Sequence, residues 1–155
     1  MTNLERRLDD LAARVQMLED ELAIHRLIVR YGLAVDVGDA EAAAATFAED
    51  GVYDVDVGVM RGRGAVAAMV RSERHQAMVG SCAHQIGPAV VTVDGDRAVG
   101  VGYSRVYLAT RAGIHVYRVS TNRWHLERRE GTWMIVGRTT RVLGHEDALT
   151  PFSGP

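Results

Sequence analysis

The chain has 155 residues, of which 47% are hydrophobic and 25% are charged, and its formal net charge is −2. This length suits a single domain with a sizeable core, and the composition is that of an ordinary globular protein. The small net charge and the lack of a basic cluster interleaved with aromatic residues argue against a nucleic-acid partner. No apolar run is long enough to predict a membrane span.

Cysteine usage and short motifs narrow the class further. Cys82 is the only cysteine, so no intrachain disulfide forms, and the N-terminus is too charged for a signal peptide. Both features predict a cytoplasmic protein. The sequence has neither a zinc-type Cys/His cluster nor a glycine-rich phosphate loop, so we expect no metal and no cofactor. All eighteen basic residues are arginine, which suggests a GC-rich bacterial genome.

Residues 1–22 predict a helix with a narrow apolar stripe. Its large apolar residues follow alternating spacings of four and three, as at the a and d positions of a heptad repeat: Leu4, Leu8, Leu11, Val15, Leu18 and Leu22. Such a helix either lies on its own domain or packs against a partner subunit. The narrow stripe favours the partner, because a helix on a globular core usually has a wider apolar face. We therefore expect a homo-oligomer, either a dimer or a trimer.

Residues 23–143 predict one α+β domain. A second helical stretch with a wider apolar surface ends at Gly38-Asp39, where Asp39 is a plausible N-cap for a short alanine-rich helix. One strand, another helix from Ala65 to about Glu73, and long antiparallel strands follow. Helices should therefore pack on one face of a curved, antiparallel or mixed sheet. Residues 144–155 are expected to form a loose tail.

Asp36 and His84 stand out as polar residues in apolar surroundings. Asp36 lies inside the segment YGLAVDVGD, and His84 precedes the apolar segment QIGPAVVTV. Each is costly to bury alone, but a carboxylate that holds a histidine makes a general base. Taken singly, Asp36 is best explained as a helix-end cap and His84 as a satisfied histidine at a strand start. The functional interpretation depends on whether the two residues meet.

Four tyrosines and one arginine are candidates for contact with a substrate. Tyr31 and Tyr53 could donate a hydrogen bond to a developing oxyanion, although Tyr53 is equally explained as one residue of an alternating strand. Tyr103, Arg105 and Tyr107 share one face of their strand. They would bind substrate if that face lines a pocket, and they would otherwise form a solvent-exposed face.

The order of these elements resembles the SnoaL-like branch of the nuclear-transport-factor-2-like superfamily. The resemblance covers about Leu22 to Leu143 and depends on the segments IHRLIVRYGLAVDVGDAEAAAATFAEDGVYDV, CAHQIG and WHLERREGTWMIVGRTTR. It implies a cone-shaped fold, with a pocket between the helices on the concave face and the bent sheet.

Tyr31, Asp36 and His84 together resemble the active-site set of bile-acid 7α-dehydratase, scytalone dehydratase and hexachlorocyclohexane dehydrochlorinase. These enzymes carry out eliminations with a histidine base backed by an aspartate. By resemblance, His84 would be the base, Asp36 its partner, and Tyr31 a donor to a carbonyl or leaving group. The scytalone enzyme has a second pocket histidine on a neighbouring strand, for which no residue here aligns, and His75 is expected to be superficial or structural.

The predicted function is that of a cofactor-independent lyase or isomerase. Its substrate would be a small hydrophobic cyclic molecule, such as a steroid- or polyketide-like compound. An epoxide-opening or other hydrolase on the same fold is an alternative. A non-catalytic small-molecule-binding or assembly module is another, because fold alone does not fix function.

Overall fold

In a computed structural model of the chain, which describes residues 2–153, three helices pack on the concave face of a curved six-stranded sheet, and a fourth packs beside the third. The helices are α1 (Asn3–Asp36), α2 (Ala40–Ala45), α3 (Arg63–Arg71) and α4 (Glu73–Gln76). The strands are β1 (Phe47–Val55), β2 (Gly58–Arg61), β3 (Cys82–Asp94), β4 (Arg97–Thr110), β5 (Gly113–Arg129) and β6 (Thr132–Val142). Met1, Gly154 and Pro155, which belong to the predicted N-terminal helix and tail, lie outside the described residues.

The sheet is mixed, as predicted. Its strand order is β2-β1-β6-β5-β4-β3. Among the described strands, β1 and β6 alone pair in parallel, and the other neighbours pair antiparallel. The α+β prediction is therefore confirmed. The short edge strand β2 is not among the predicted elements, because its four residues follow β1 after a tight turn and carry little alternating pattern of their own.

The C-terminal half of α1 packs on the sheet through a broad apolar face. Its buried apolar residues are Ile24, Leu27, Ile28, Tyr31, Ala34 and Val35. At Gly32 the helix approaches β3 so closely that a Cβ would lie 3.0 Å from the backbone oxygen of His84. The helix stops before Gly38, whose φ of 72° is a left-handed conformation that favours glycine. Asp39 Oδ1 then accepts from the Ala42 N–H at 3.0 Å, which confirms the predicted N-cap of α2.

The N-terminal half of α1 has no such support. The predicted boundary at residue 22 falls inside one continuous helix, and every residue from 2 to 19 is exposed. Burial begins at Asp20, which is 6% exposed. The apolar stripe predicted from the heptad spacing therefore does not lie on its own domain. None of the described helices combines the length and apolar character needed to cross a bilayer.

The segment after β6 is not the loose tail expected from its prolines. Ala148 and Pro151 are buried. The Arg123 Nε–H donates to the Pro151 carbonyl oxygen at 2.7 Å, and the Thr121 hydroxyl donates to the Ala148 carbonyl. The tail is held because β5 presents polar side chains that satisfy its backbone, a long-range arrangement that local composition does not encode.

Candidate active site

Asp36 and His84 lie in direct contact where the end of α1 meets the start of β3. The distance from His84 Nδ1 to Asp36 Oδ1 is 2.6 Å. The His84 backbone N–H also donates to both carboxylate oxygens, at 3.0 and 2.8 Å. Asp36 therefore does not cap its own helix, as it would if taken singly. The carboxylate fixes both the backbone and the ring of His84.

This contact determines which nitrogen of His84 is available to a ligand. An ionised carboxylate only accepts hydrogen bonds, so Nδ1 carries the proton and Nε2 keeps the lone pair. Burial is the largest influence on the pKa of His84 and lowers it below its ordinary value. Asp36 opposes this lowering through its hydrogen bond and charge, whereas the positive charge of Arg138 adds to it. A neutral imidazole with a free Nε2 can act as a general base near neutral pH.

His84 forms part of the wall of a cavity of about 230 Å³. The helices and the sheet contribute valine and methionine side chains to this cavity, among them Val35, Val55, Met60, Met69, Met78 and Val106. Such a lining suits an apolar ligand, and methionine adapts to irregular shapes.

Tyr31 and Tyr53 both line this cavity. They are 4% and 8% exposed, and their ring centroids lie 6.3 Å apart in an edge-to-face arrangement. Burial, with the neighbouring Tyr53, raises the pKa of Tyr31 above its ordinary value. The Tyr31 hydroxyl is therefore protonated at neutral pH and can serve as a hydrogen-bond donor.

Arg138 is a cavity residue that is absent from the predicted set. It is 4% exposed, and its guanidinium carbon lies 4.9 Å from the ring centroid of Tyr31 and 4.6 Å from that of Tyr53. Nε and Nη2 donate to Asn122 Oδ1 at 3.2 and 2.8 Å. Nη1 is buried and has no hydrogen-bond partner among the described residues. An unpaired buried cationic donor costs free energy, so an oxygen acceptor on a ligand would be favoured here.

His75 reaches the same cavity from α4. It is 9% exposed, so it is not a surface histidine, and its ring centroid lies 6.5 Å from that of His84. Nε2 lies 2.8 Å from the Val35 carbonyl oxygen, to which it must donate because a carbonyl cannot. The cavity thus contains a second imidazole. It comes from helix α4, whereas the second pocket histidine of the scytalone enzyme lies on a strand.

Tyr103, Arg105 and Tyr107 point away from the cavity. Alternate residues of β4 face opposite sides of the sheet, and it is Val106 that lines the cavity. Tyr103 is 40% exposed and packs against Phe152 at a centroid distance of 5.1 Å. The Tyr107 hydroxyl donates to Gln85 at the surface. Of the two alternatives predicted for this face of β4, the structure therefore agrees with the solvent-exposed one. The three side chains lie on the opposite side of the sheet from the cavity that His84 lines.

Cys82 lies beside the pair, and its sulfur is 4.0 Å from Asp36 Oδ1. Together with Asp36 and His84 it forms a trio of potential metal-ligand atoms. Two ligands of a tetrahedral ion with bonds of about 2.0 Å would lie about 3.3 Å apart, whereas the His84 and Asp36 atoms are 2.6 Å apart. Burial, followed by the charge of Asp36, also raises the pKa of the thiol. The geometry is that of a hydrogen-bonded pair.

Fold and site together define a protein of the NTF2-like, cystatin-like architecture. A family described as the SnoaL-like domain matches residues 16–139. The chain belongs to this family, which confirms the resemblance found in the sequence. A search of curated proteins gives no match.

Solved structures show the same architecture. The chain is similar to an NTF2-like protein from Novosphingobium aromaticivorans, with 39% identity and a TM-score of 0.90 over 95% of this chain and 97% of that one. It is also similar to Rv3472, a protein of unknown function from Mycobacterium tuberculosis, with 32% identity and a TM-score of 0.77 over 88% and 79% of the two chains. Aln2 from Streptomyces, at 21% identity with a TM-score of 0.71 over 80% and 91%, shares the fold.

Proposed function

We propose that the protein is a cofactor-independent lyase or isomerase that removes a proton next to a carbonyl group of a small cyclic substrate. The observation that carries the proposal is the 2.6 Å contact between His84 Nδ1 and Asp36, with His84 in the wall of an apolar cavity. A pure binding module has little reason to keep a base in its pocket. We also propose that the protein works as a homo-oligomer.

The first step breaks a C–H bond of the substrate. His84 Nε2 takes the proton, and the bonding electron pair moves onto the carbonyl oxygen to give an enolate. Asp36 stabilises the imidazolium that forms and keeps its ring in place. The pair therefore acts as a base without any change in the protonation of Asp36.

The enolate oxygen needs donors that are in place before the reaction. Arg138 offers a guanidinium with an unpaired Nη1, and Tyr31 offers a protonated hydroxyl beside it. The oxygen pair then re-forms the carbonyl, and the electron pair of the enolate carbon–carbon double bond forms a new double bond to the next carbon. In an elimination, the hydroxyl group on the next carbon departs as water with the proton that His84 took in the first step. In an isomerisation, His84 returns its proton to another carbon.

The cavity limits the size of the substrate. Its volume of about 230 Å³ is below the range of about 300–1,000 Å³ that is typical of pockets for drug-sized ligands. The valine and methionine walls favour an apolar ring, and the buried guanidinium favours one oxygen-bearing end. We therefore propose a ring ketone with a β-leaving group, and we favour one or two rings over the four rings of a steroid.

The proposal is tested by proton exchange, which needs only the first step. One- and two-ring ketones with a β-hydroxyl group are incubated with the protein in D₂O, and NMR follows deuterium uptake next to the carbonyl and loss of the hydroxyl group. His84→Ala should reduce both rates by about 10²–10⁴-fold, the usual contribution of a general base. His115→Ala, on an exposed part of β5, is the matched control and should be neutral.

Equal exchange by wild-type protein and His84→Ala would remove the proposed role. Incorporation of ¹⁸O from labelled water into the product, without an alkene intermediate, would favour the hydrolase instead. The two outcomes are measured in parallel reactions with the same substrates, one in D₂O and one in H₂¹⁸O.

A further inference from the structure

The N-terminal half of α1 is a helix without a domain beneath it. Residues 2–19 are all exposed, and at 1.5 Å per residue this segment extends about 25 Å from the body. An exposed helical segment gains little stability from its own chain, because most helical stability comes from packing an apolar face. The segment nevertheless continues α1 without a break. It is therefore expected to pack against something outside its own chain.

The exposed stripe has the form of a coiled-coil seam. Its large residues are between 49% and 65% exposed and occupy the a and d positions of three heptads: Leu4, Leu8, Leu11, Val15, Leu18 and Leu22. Every d position in this range is leucine and the central a position, Val15, is β-branched, the combination that favours two strands, whereas the a positions on either side of it are leucine. Val29 continues the a positions and is 46% exposed. The next d positions are His25 and Gly32. Gly32 lies against β3 of the same chain, so the seam ends before this residue.

The charges beside the seam identify the partner. In a parallel, in-register coil, each g residue faces the e residue five positions later on the other helix. Arg14 would then face Glu19 of the partner subunit, and Glu21 would face Arg26 of the partner subunit. Arg7 would face a neutral alanine. Both charged pairs are attractive, each occurs twice by symmetry, and no like charges meet.

The antiparallel arrangement with full overlap of the seam has poorer charge complementarity. There e faces e and g faces g, so Glu5 would meet Glu19 of the partner subunit and Arg14 would meet Arg14 of the partner subunit. Only Arg7 and Glu21 of the partner subunit would attract. The charge pattern is thus complementary to a second copy of the same helix in one orientation.

We propose that residues 4–22 form a parallel, in-register, two-stranded coiled coil with the same residues of a second copy of this chain. The seam occupies a different face of α1 from the one that packs on β3, so each body keeps its own cavity. The two bodies lie at the same end of the coil.

The first test measures molecular mass by light scattering on the full chain. Wild-type protein should have twice the mass of Val15→Glu, which places a charge in the middle of the seam. Ala13→Glu adds the same charge at an exposed position off the seam and should keep the wild-type mass. Trp124 and Trp133 lie in the body, so their fluorescence verifies that each variant is folded. A monomeric wild-type protein, or a folded Val15→Glu of unchanged mass, would overturn the proposal.

The second test measures orientation. Leu8→Cys should form a disulfide-linked dimer under mild oxidation, because equivalent a positions face each other only in a parallel coil. In the antiparallel arrangement Leu8 lies beside Leu18 of the partner subunit, and no such dimer forms. Ala13→Cys is the matched control, and wild-type protein shows the background from Cys82. Absence of a Leu8→Cys dimer, or equal linkage through Ala13→Cys, would contradict the parallel register.

The third test reverses one charge. This change should weaken the dimer in the parallel orientation and strengthen it in the antiparallel orientation. Glu19→Arg places like charges against Arg14 in the parallel coil and should weaken dimerisation about tenfold. In the antiparallel arrangement the same change meets Glu5 and should strengthen it. Adding Arg14→Glu to Glu19→Arg should restore the wild-type dissociation constant. A tighter dimer from Glu19→Arg would overturn the parallel register.

Discussion

The two halves of α1 belong to one continuous helix and yet have opposite surroundings. Residues 20–36 place a broad apolar face on the sheet and end at Asp36, beside His84. Residues 2–19 are all exposed and carry a narrow stripe with two apolar positions in seven. The width of the apolar face therefore distinguishes a helix that covers its own core from one suited to another helix.

This difference implies that the two halves can be perturbed separately. Substitutions in the inner half should change chemistry or stability and leave molecular mass unchanged. Substitutions along the outer stripe should change mass and leave the chemistry in each cavity intact. The following predictions test that separation.

The largest effect is expected at the inner end of the helix. Asp36→Asn removes the charge that stabilises the imidazolium and holds Nδ1 protonated, so turnover should fall by about 10²–10⁴-fold. The mass should not change. Asp39→Asn, three residues away, is the matched control: asparagine also caps helices well, so α2 and turnover should both persist.

The pH profile of the same variant gives a second measurement. The proposed base, His84, can accept a proton only when it is neutral, so the rate should fall as pH drops through its pKa. Burial lowers that pKa below its ordinary value, and Asp36 raises it. The acid limb of wild-type protein should therefore lie below about pH 6.5, and Asp36→Asn should move it to still lower pH. A shift to higher pH would contradict the assignment of Asp36 as the partner of His84.

The next effect is expected at the junction between the halves. Asp20 accepts two hydrogen bonds of 2.8 Å from Arg128 and one of 3.0 Å from the Trp133 indole. Asp20→Ala leaves these donors unpaired and should lower the free energy of unfolding by about 3 kcal/mol. Asp10→Ala, on the exposed outer half, should change it by less than about 0.5 kcal/mol. Denaturant titrations of both variants test the contrast.

Acid should erase the difference between wild-type protein and Asp20→Ala. The hydrogen bond from Arg128 is the largest cause of a lowered pKa at Asp20. A depressed pKa means that the ionised carboxylate stabilises the fold above its unfolded pKa of about 3.9. This stabilisation is lost as pH falls through the lower folded value. A difference that persists unchanged through that range would show that Asp20 acts by packing alone.

Local pattern was sufficient for part of the site and insufficient for the rest. The apolar surroundings of Asp36 and His84 were enough to propose a pair, because an isolated buried charge is costly. Arg138 was missed because β6 contains an irregularity near Val136, where Leu126 pairs with Ile135 and His125 with Gly137. Strict alternation from Ile135 would place the Arg138 side chain on the outer face of the sheet. The extra residue, Val136, shifts the alternation by one and places that side chain on the cavity face.

The face of β4 could not be chosen from alternation either. Both faces carry apolar and polar side chains, and the sequence does not say which one the helices cover. His75 belongs to a four-residue helix whose position depends on the ends of α1 and α3. Neither the cavity face of β4 nor the position of His75 could be predicted from local sequence. Both depend on how the elements pack against one another.

The smallest effect is expected where α1 meets the strand of His84. In Gly32→Ala the new Cβ would lie 3.0 Å from the His84 backbone oxygen and 3.1 Å from Ile86 Cδ1. Helix propensity favours alanine by about 1 kcal/mol, but the crowding should outweigh it and lower the free energy of unfolding by about 1 kcal/mol. Because the displaced strand carries the proposed base, turnover should fall about tenfold. Gly64→Ala, in α3 with no atom within 4 Å of the new Cβ, is the matched control and should gain stability without loss of turnover. If both variants gain stability equally and keep full turnover, the close approach at Gly32 does not position His84, and the inner half of α1 contributes to the site through Asp36 and Tyr31 alone.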